Sequence, residues 1–564
     1  MSRLYQAGFL LGGTLVLLTS WSMLLNAQDV PLAPVSRTYA ITNVNIIQAP
    51  GRKVDMGTVV VKDGLILNVG KNIAIPPDAI VIKADSMYVY AGFIDGLSRV
   101  GVNKPKEDPN PERPKDRGNP DPTMAGITPQ LDVRNSLNAA EKSIEELRNL
   151  GFTAAHVVPY GGMLPGNSAV ILLGGKNADK MVLVSRSAFY SELTPASRMS
   201  PGTVMGVMAK YRELYRNAAL SRNYENTYAS NRTGVLRPST DRVLEAFYPV
   251  IDKRQYVLFK AEKVVDAQRV LTLQNDLGFS LMLAELKEGW DIVNKVKASN
   301  AKVFLSLDLP EEKKEEKKDA SKKEDKPKTA VDIEKEALEK RKAEFVAKYT
   351  AQASVYNKAG VKFGFSTLSA KSRDISSNLR RMIAAGLSED AALTSLTTAP
   401  AELLGLSDRL GTVDNGKIAN LVISDKPYFN EKAKVRYVFV DGEMYKLDVK
   451  EPPKGDPNAK VDIVGSWTLS TETPQGKTDS GVSFKKDGSG YIGKVSGGRL
   501  PEPIDLESVD LDGNNLRFKY KVSFGGNSMT VEVDAKVDGN TFSGTTSVGQ
   551  YGSFPIEGKK DPLN

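Results

Sequence analysis

From Tyr39 onward, apolar and polar positions alternate with the two-residue period of strands. Tyr39–Asn45 (YAITNVN), Gly57–Lys62 (GTVVVK) and Leu65–Val69 carry it, with Asp63-Gly64 as a hairpin turn between the last two. Ile80–Lys83 and Met87–Tyr90 add two more strands, so a small sheet is expected to end at Ala91-Gly92-Phe93-Ile94-Asp95. Beyond it the pattern becomes an alternation of short apolar runs and amphipathic stretches. It predicts helices near Ser136–Leu150, Val204–Ala219 and Thr240–Phe247, and over Val264–Leu277, Gly289–Ala298 and Asp332–Ala359. Two further helices are expected at Asp374–Ala385 and Glu389–Thr397. Strands are expected at Thr153–Val158, Tyr256–Phe259, Ser280–Ala284, Lys302–Leu307 and Lys362–Phe365. This βα alternation argues for a parallel α/β architecture, and a (β/α) barrel fits its length. Gly411–Asp425 and Val435–Tyr445 return to strand patterning.

Two segments interrupt the barrel pattern. Val102–Pro122, rich in Pro, Lys and Asp, reads as an exposed loop after the first barrel strand, and Glu311–Lys328 (EEKKEEKKDASKKEDKPK) as a solvated insertion. Pro452–Pro457 is a linker. Past it, Val461–Asn564 has turn signals at Asp487-Gly488, Asp512-Gly513, Gly525-Gly526-Asn527 and Asp538-Gly539, which predict an antiparallel barrel or sandwich. Its opening Gly465-Ser466-Trp467 suits a core tryptophan better than a ligand cavity.

The N-terminus is polar only at its start. Arg3 precedes an apolar stretch from about Ala7 to Leu25, and Ala27 precedes Gln28 as a cleavage point. A cleaved signal peptide over residues 1–27 is expected, with export to the periplasm or secretion and no membrane span once it is removed. An uncleaved anchor is the alternative. There is no cysteine in the 564 residues, so no lipid-attachment site follows the leader. The net charge of +8 is spread over 76 basic and 68 acidic residues without an Arg-rich stripe, which gives nucleic-acid binding no support.

Three stretches carry a family resemblance: VVVKDGLILNVG (Val59–Gly70) leading into AGFID, GLSEDAALTSLTTAPAELLGL (Gly386–Leu406), and RLGTVDNGKIANLVISD (Arg409–Asp425). Together they resemble the amidohydrolase superfamily, in the branch of imidazolonepropionase-like amidohydrolases, over roughly Tyr39–Leu447. Asn420 stands where that family usually has aspartate. The resemblance implies an α/β fold with a (β/α)8 TIM-like barrel, a small composite β-sandwich built from both flanks, and an appended C-terminal antiparallel β domain. The expected division is 28–90 and 408–450 for the composite domain, 91–407 for the barrel with its charged insertion at 311–328, 451–460 for the linker and 461–564 for the last domain.

The resemblance also implies where a metal centre would lie. The His-x-His after the first strand falls on Leu97 and Arg99, and that of the middle barrel on Lys260 and Glu262. The next histidine falls near Glu285, and the final aspartate near Leu368. Leucine, arginine and lysine are not ligands for zinc-like ions, and leucine cannot shuttle a proton. No cofactor is therefore expected; a divalent metal would bind only if this ligand argument fails.

Lys260, Glu262, Glu285 and Arg99 should gather at the barrel mouth. They could form a salt-bridge network, bind a charged ligand, or catalyse with Glu262 or Glu285 as base and Lys260 as electrostatic helper. A carboxylate site of Asp95, Glu262 and Glu285 for a hard cation would sit beside two basic residues. The single histidine, His156, matches no ligand position and reads as structural. Three functions follow as expectations: a non-catalytic partner of an active amidohydrolase relative (or a homo-oligomer), a hydrolase acting on C–N bonds by an altered mechanism, and a ligand-binding module.

Overall fold

The computed structural model describes residues 37–106, 109, 113–311, 330–447, 456, 459, 461–473, 476–488, 490–498, 500, 502–524, 527–548 and 552–562. The expected signal peptide, nearly all of the charged insertion, almost all of the linker and the Gly525-Gly526 turn lie outside them. The chain forms two compact units that divide between Asp448 and Val449.

The first unit opens with β1 (Thr38–Ala49), β2 (Arg52–Lys62), β3 (Leu65–Gly70), β4 (Ile80–Lys83) and β5 (Tyr88–Ala91). The Asp63-Gly64 turn places both residues at positive φ, the requirement that an Asp-Gly hairpin meets. The chain then enters a ring through β6 (Phe93–Ser98) and β7 (Phe152–Val157), which pair in parallel. Next come β8 (Gly166–Asn167), β9 (Ala169–Leu172), β10 (Val182–Val184) and β11 (Ala188–Glu192), followed by β12 (Tyr256–Lys260), β13 (Leu281–Leu286), β14 (Lys302–Ser306) and β15 (Phe363–Ser366). β11 to β15 run parallel in sequence order. Between β7 and β11 the chain reverses: β9 pairs antiparallel with β7, and β8 antiparallel with β11. The ring thus has seven parallel strands and one reversed segment, 166–172, rather than eight parallel strands. The Gly-rich run Gly161–Ser168 leads into that reversed segment.

The ring closes where β15 meets β6. Thr367 N donates to Leu97 O at 3.2 Å and Ser366 Oγ to the same carbonyl at 2.9 Å. After the ring, β16 (Leu421–Ser424), β17 (Val435–Val440) and β18 (Glu443–Lys446) join the opening strands in one eight-stranded sheet, ordered β18-β17-β16-β5-β1-β2-β3 with β4 also on β1. Both flanks build it, as the resemblance implied. Its strands form one continuous hydrogen-bonded path, and an isolated bridge links Leu65 in β3 to Ile418, just before β16. Its core includes Tyr39, Ile46, Val61, Leu421 and Phe439. Asn420, in the usual place of aspartate, accepts from Asp441 N at 2.8 Å.

Several elements differ in extent from the sequence pattern. The helix expected from Ser136 starts at Lys142, because the Glu141 carboxylate caps it by accepting from Ser143 N. The Thr240–Phe247 helix shrinks to two single turns, Arg242–Glu245 and Tyr248–Ile251. The Val204 helix runs on to Ser230, and of Gly411–Asp425 only β16 is a strand. Among the described residues no helix is long and apolar enough to cross a membrane.

The second unit is a nine-stranded antiparallel sheet. Its first strand, Gly465–Thr473, pairs with Gly476–Asp487 on one side and the last strand, Ser553–Lys560, on the other. Trp467 is fully buried, its ring 5.3 Å from that of Phe542, and its indole N–H donates to Ile463 O at 2.9 Å. That tryptophan is a core residue.

Inside the ring, Leu97, Tyr190, Leu258, Met282 and Phe304 form one apolar cluster. Phe304 lies so close to β6 that a Cβ added to Gly96 would sit 1.9 Å from its ring. Gly96→Ala is therefore expected to cost about 1–3 kcal/mol, the usual range for overpacking a core. Differential scanning calorimetry should show a lowered Tm, partly recovered by adding Phe304→Leu. An unchanged Tm would contradict this packing.

Candidate functional site at the ring mouth

Parallel strands end their C-terminal edges together, so residues at or just past those ends converge. Arg99 follows β6, Glu192 ends β11, Lys260 and Glu262 lie at and beyond the end of β12, Glu285 and Lys287 at the end of β13, and Asp308 beyond β14. The side chains form a continuous chain of alternating charge. Arg99 meets Glu192 at 2.8 Å, and Glu192 meets Lys260 at 3.8 Å. Lys260 pairs with Glu262 at 2.9 Å, and Glu262 with Lys287 at 3.6 Å. Lys287 ends the chain between Asp308 at 2.7 Å and Glu285 at 3.9 Å. Glu192 also accepts from Tyr190 Oη at 2.8 Å and Thr194 Oγ1 at 3.0 Å.

The structure thus brings together Arg99, Lys260, Glu262 and Glu285, the four residues singled out from sequence. It links them through Glu192, Lys287 and Asp308, which the sequence reading missed. A usable signal existed: each is a charged residue at the end of an apolar run, as in AFYSE, LMLAELK and VFLSLD. Leu97 is buried in the apolar cluster and Leu368 packs at its edge.

Glu285 is the strained member. It has φ +60°, in the left-handed region, inside a strand whose register with β14 shifts between Ala284 and Leu286. Such a bulge re-aims a side chain, and strain of this kind concentrates at functional positions. The carboxyl is fully buried and accepts from Ser306 Oγ at 2.7 Å and from Ser366 Oγ. Burial holds its pKa above the ordinary value despite these donors and Lys287. For Glu262, burial raises the pKa, but Lys260 and Lys287 outweigh it and leave the carboxyl below its usual range. Burial pulls Lys287 down, while Asp308, Glu285 and Glu262 more than restore it.

Asp95 sits apart, below the mouth at the β6–β15 seam. Its Oδ1 accepts from Leu97 N at 3.2 Å and Thr367 N at 3.0 Å, and its Oδ2 meets the Thr367 hydroxyl. Fully buried, it is pushed up to about 7 by desolvation, against those hydrogen bonds. His156 is also fully buried, with Nε2 2.7 Å from Ser168 Oγ and 2.8 Å from Ser187 Oγ. Desolvation lowers its pKa to about 4, the behaviour of a neutral structural imidazole.

These residues do not fit the metal that the resemblance implies. Zinc-like ions need converging imidazole, thiolate or carboxylate donors. Among the described residues no three His, Cys, Asp or Glu side chains converge in that way. The carboxylates at the mouth already face Arg99, Lys260 or Lys287, which would repel a cation placed among them.

A family model described as the amidohydrolase family matches residues 284–445, from within β13 to within β18. The fold is similar to the crystal structure of an amidohydrolase from Thermotoga maritima MSB8, at 19% identity and TM-score 0.58, covering 72% of this chain and 100% of that one. Phenylurea hydrolase B (14% identity, TM-score 0.41, 72% and 96% coverage) also aligns. So does a Xaa-Pro dipeptidase with bound methionine, at 14% identity and TM-score 0.40, covering 72% of this chain and 100% of that one. No curated protein sequence matches the chain. Over residues 284–445 the sequence matches the amidohydrolase family, and the fold is similar to that of the Thermotoga maritima amidohydrolase. Among the solved structures named, the Thermotoga maritima protein is the one whose likeness supports the shared fold.

Asp95 and His156 pull stability in opposite directions with pH. Asp95 is neutral in the fold below about 7 but ionises near 3.8 when unfolded, so its contribution falls as pH rises between those values. His156 stays neutral in the fold down to about 4 while the unfolded ring protonates near 6.5, so its contribution falls as pH drops across that window. Asp95→Asn keeps an acceptor for the two N–H groups and removes the ionisation, worth up to roughly 4 kcal/mol at pH 8. Thermal unfolding should show the variant more stable than wild type at pH 8, with the gap closing toward pH 4. A gap independent of pH would contradict the buried, neutral Asp95.

Proposed function

We propose that this chain is an exported, non-hydrolytic member of the amidohydrolase family that acts as an accessory subunit of an active amidohydrolase. One observation carries the reading: Lys260 and Lys287 flank Glu262 at the mouth, with Arg99 on Glu192, where the family resemblance puts metal ligands. Metal-activated water needs an ion to lower its pKa from 15.7 toward about 7. Three cations tied into ion pairs supply no such nucleophile, and they satisfy the carboxylates that a vacated centre would leave exposed. Leu97 and Phe304 fill the space beneath. The apolar leader after Arg3 supports export to the periplasm or beyond.

A second reading, hydrolysis of C–N bonds by an altered mechanism, is favoured by one feature: the strained, buried Glu285, whose raised pKa suits a general base. Both readings meet in one experiment. The mature chain, tagged and cross-linked in its own host, should yield by mass spectrometry an amidohydrolase that retains its His-x-His pair. Alone, and supplied with zinc, it should leave dipeptides and N-acyl amino acids intact. Turnover by the isolated chain that is lost in Glu262→Gln or Glu285→Gln would overturn the accessory reading in favour of the second.

A further inference from the structure

Beside the ion-pair chain, a cleft of about 780 Å³ opens between the ends of β6 and β15 and the helix Lys142–Asn149. That volume lies in the range of small-molecule sites. Apolar surface comes from Leu368, Ala370 and the Tyr160 ring, and cationic side chains from Arg99, Lys104, Lys371 and Arg373. We infer that this cleft binds a small organic anion, its apolar body on the first group and its carboxylate or phosphate on the second.

The charge balance supports an anion. The two acidic residues in the wall are committed elsewhere. Glu141 caps its helix by accepting from Ser143 N at 2.8 Å, and Glu146 accepts from Ser372 Oγ at 3.0 Å and pairs with Lys142 at 3.7 Å. Lys371 and Arg373 are less engaged. Among the described residues no ion pair holds Lys371, and Arg373 meets the carboxylate of its neighbour Asp374 at 3.8 Å. Arg99 is fixed by Glu192 and by stacking 4.5 Å above Tyr160, yet its Nε is buried without a hydrogen-bond partner. A guanidinium held in place at the cleft wall is suited to a carboxylate or phosphate oxygen. Arg99 comes from the β6 end while Lys371 and Arg373 come from the start of the helix Ser372–Ala384, so the cations approach from two sides.

The inference rests on reading the mouth as sealed by ion pairs, which leaves recognition to the cleft beside it. Its test uses Lys371 and Arg373, which take no part in that chain, so its failure leaves the accessory reading standing. Isothermal titration of the mature protein would compare 4-phenylbutyrate, inorganic phosphate and the neutral 4-phenylbutanol. Saturable one-to-one binding of phenylbutyrate is expected, with phosphate weaker and the alcohol silent. Lys371→Glu with Arg373→Glu should weaken phenylbutyrate at least tenfold without lowering Tm, and Lys180→Glu on a distant exposed turn should not. Phosphate binding that matches phenylbutyrate and is lost in the double variant would support the cationic half and overturn the apolar one. No binding of either anion, or equal binding by the double variant, overturns the inference.

Discussion

The ring is closed by a buried carboxyl. Asp95 on β6 accepts the backbone N–H of Thr367 at the end of β15 and meets its hydroxyl, so first and last strands meet around one side chain. Removed from water, an ionised carboxylate there would be costly; a neutral one can both donate and accept. The same seam sets the mouth. Arg99 lies four residues beyond Asp95, and the Ser366 hydroxyl, one residue before Thr367, lies within hydrogen-bond reach of both Leu97 O and the Glu285 carboxyl. The buried hydrogen bonds at the strand ends hold the charged residues above them in register.

Those charges depend on one another. Removing one partner of an ion pair leaves the other charge uncompensated, at a cost that grows with burial. In this mouth Glu192 and Glu262 each lie between two cations, and Lys260 and Lys287 each between carboxylates. The network therefore favours being kept whole over admitting a divalent ion, which would need its cations displaced and its carboxylates redirected. The strained backbone of Glu285 fits the same picture, since the bulge turns a buried carboxyl toward Ser306, Ser366 and Lys287.

Much of this was legible in the sequence because it rests on local signals. Period-two runs located β1 to β5, and the apolar runs before charged residues located β12 to β15. Val264–Leu277 was bounded to the residue, helped by Gly278 in the left-handed conformation at its end. The reversed segment 166–172 and β11 were not legible. Their apolar runs are only a few residues long, and their direction is set by pairing across the ring rather than by local pattern. Glu192, Lys287 and Asp308 escaped for a related reason: Glu192 meets Lys260, Lys287 meets Glu262 and Asp308 meets Lys287 only when strands far apart in the chain lie side by side.

Metal content of the mature protein tests the central proposal most directly. The chain from Gln28 onward would be dialysed extensively without chelator and its elements measured. Less than a tenth of an equivalent of any divalent metal is expected, since three cations hold the mouth. One or more equivalents, lost in Glu262→Gln or Glu285→Gln, would contradict it and show that these carboxylates bind an ion in spite of their lysine neighbours.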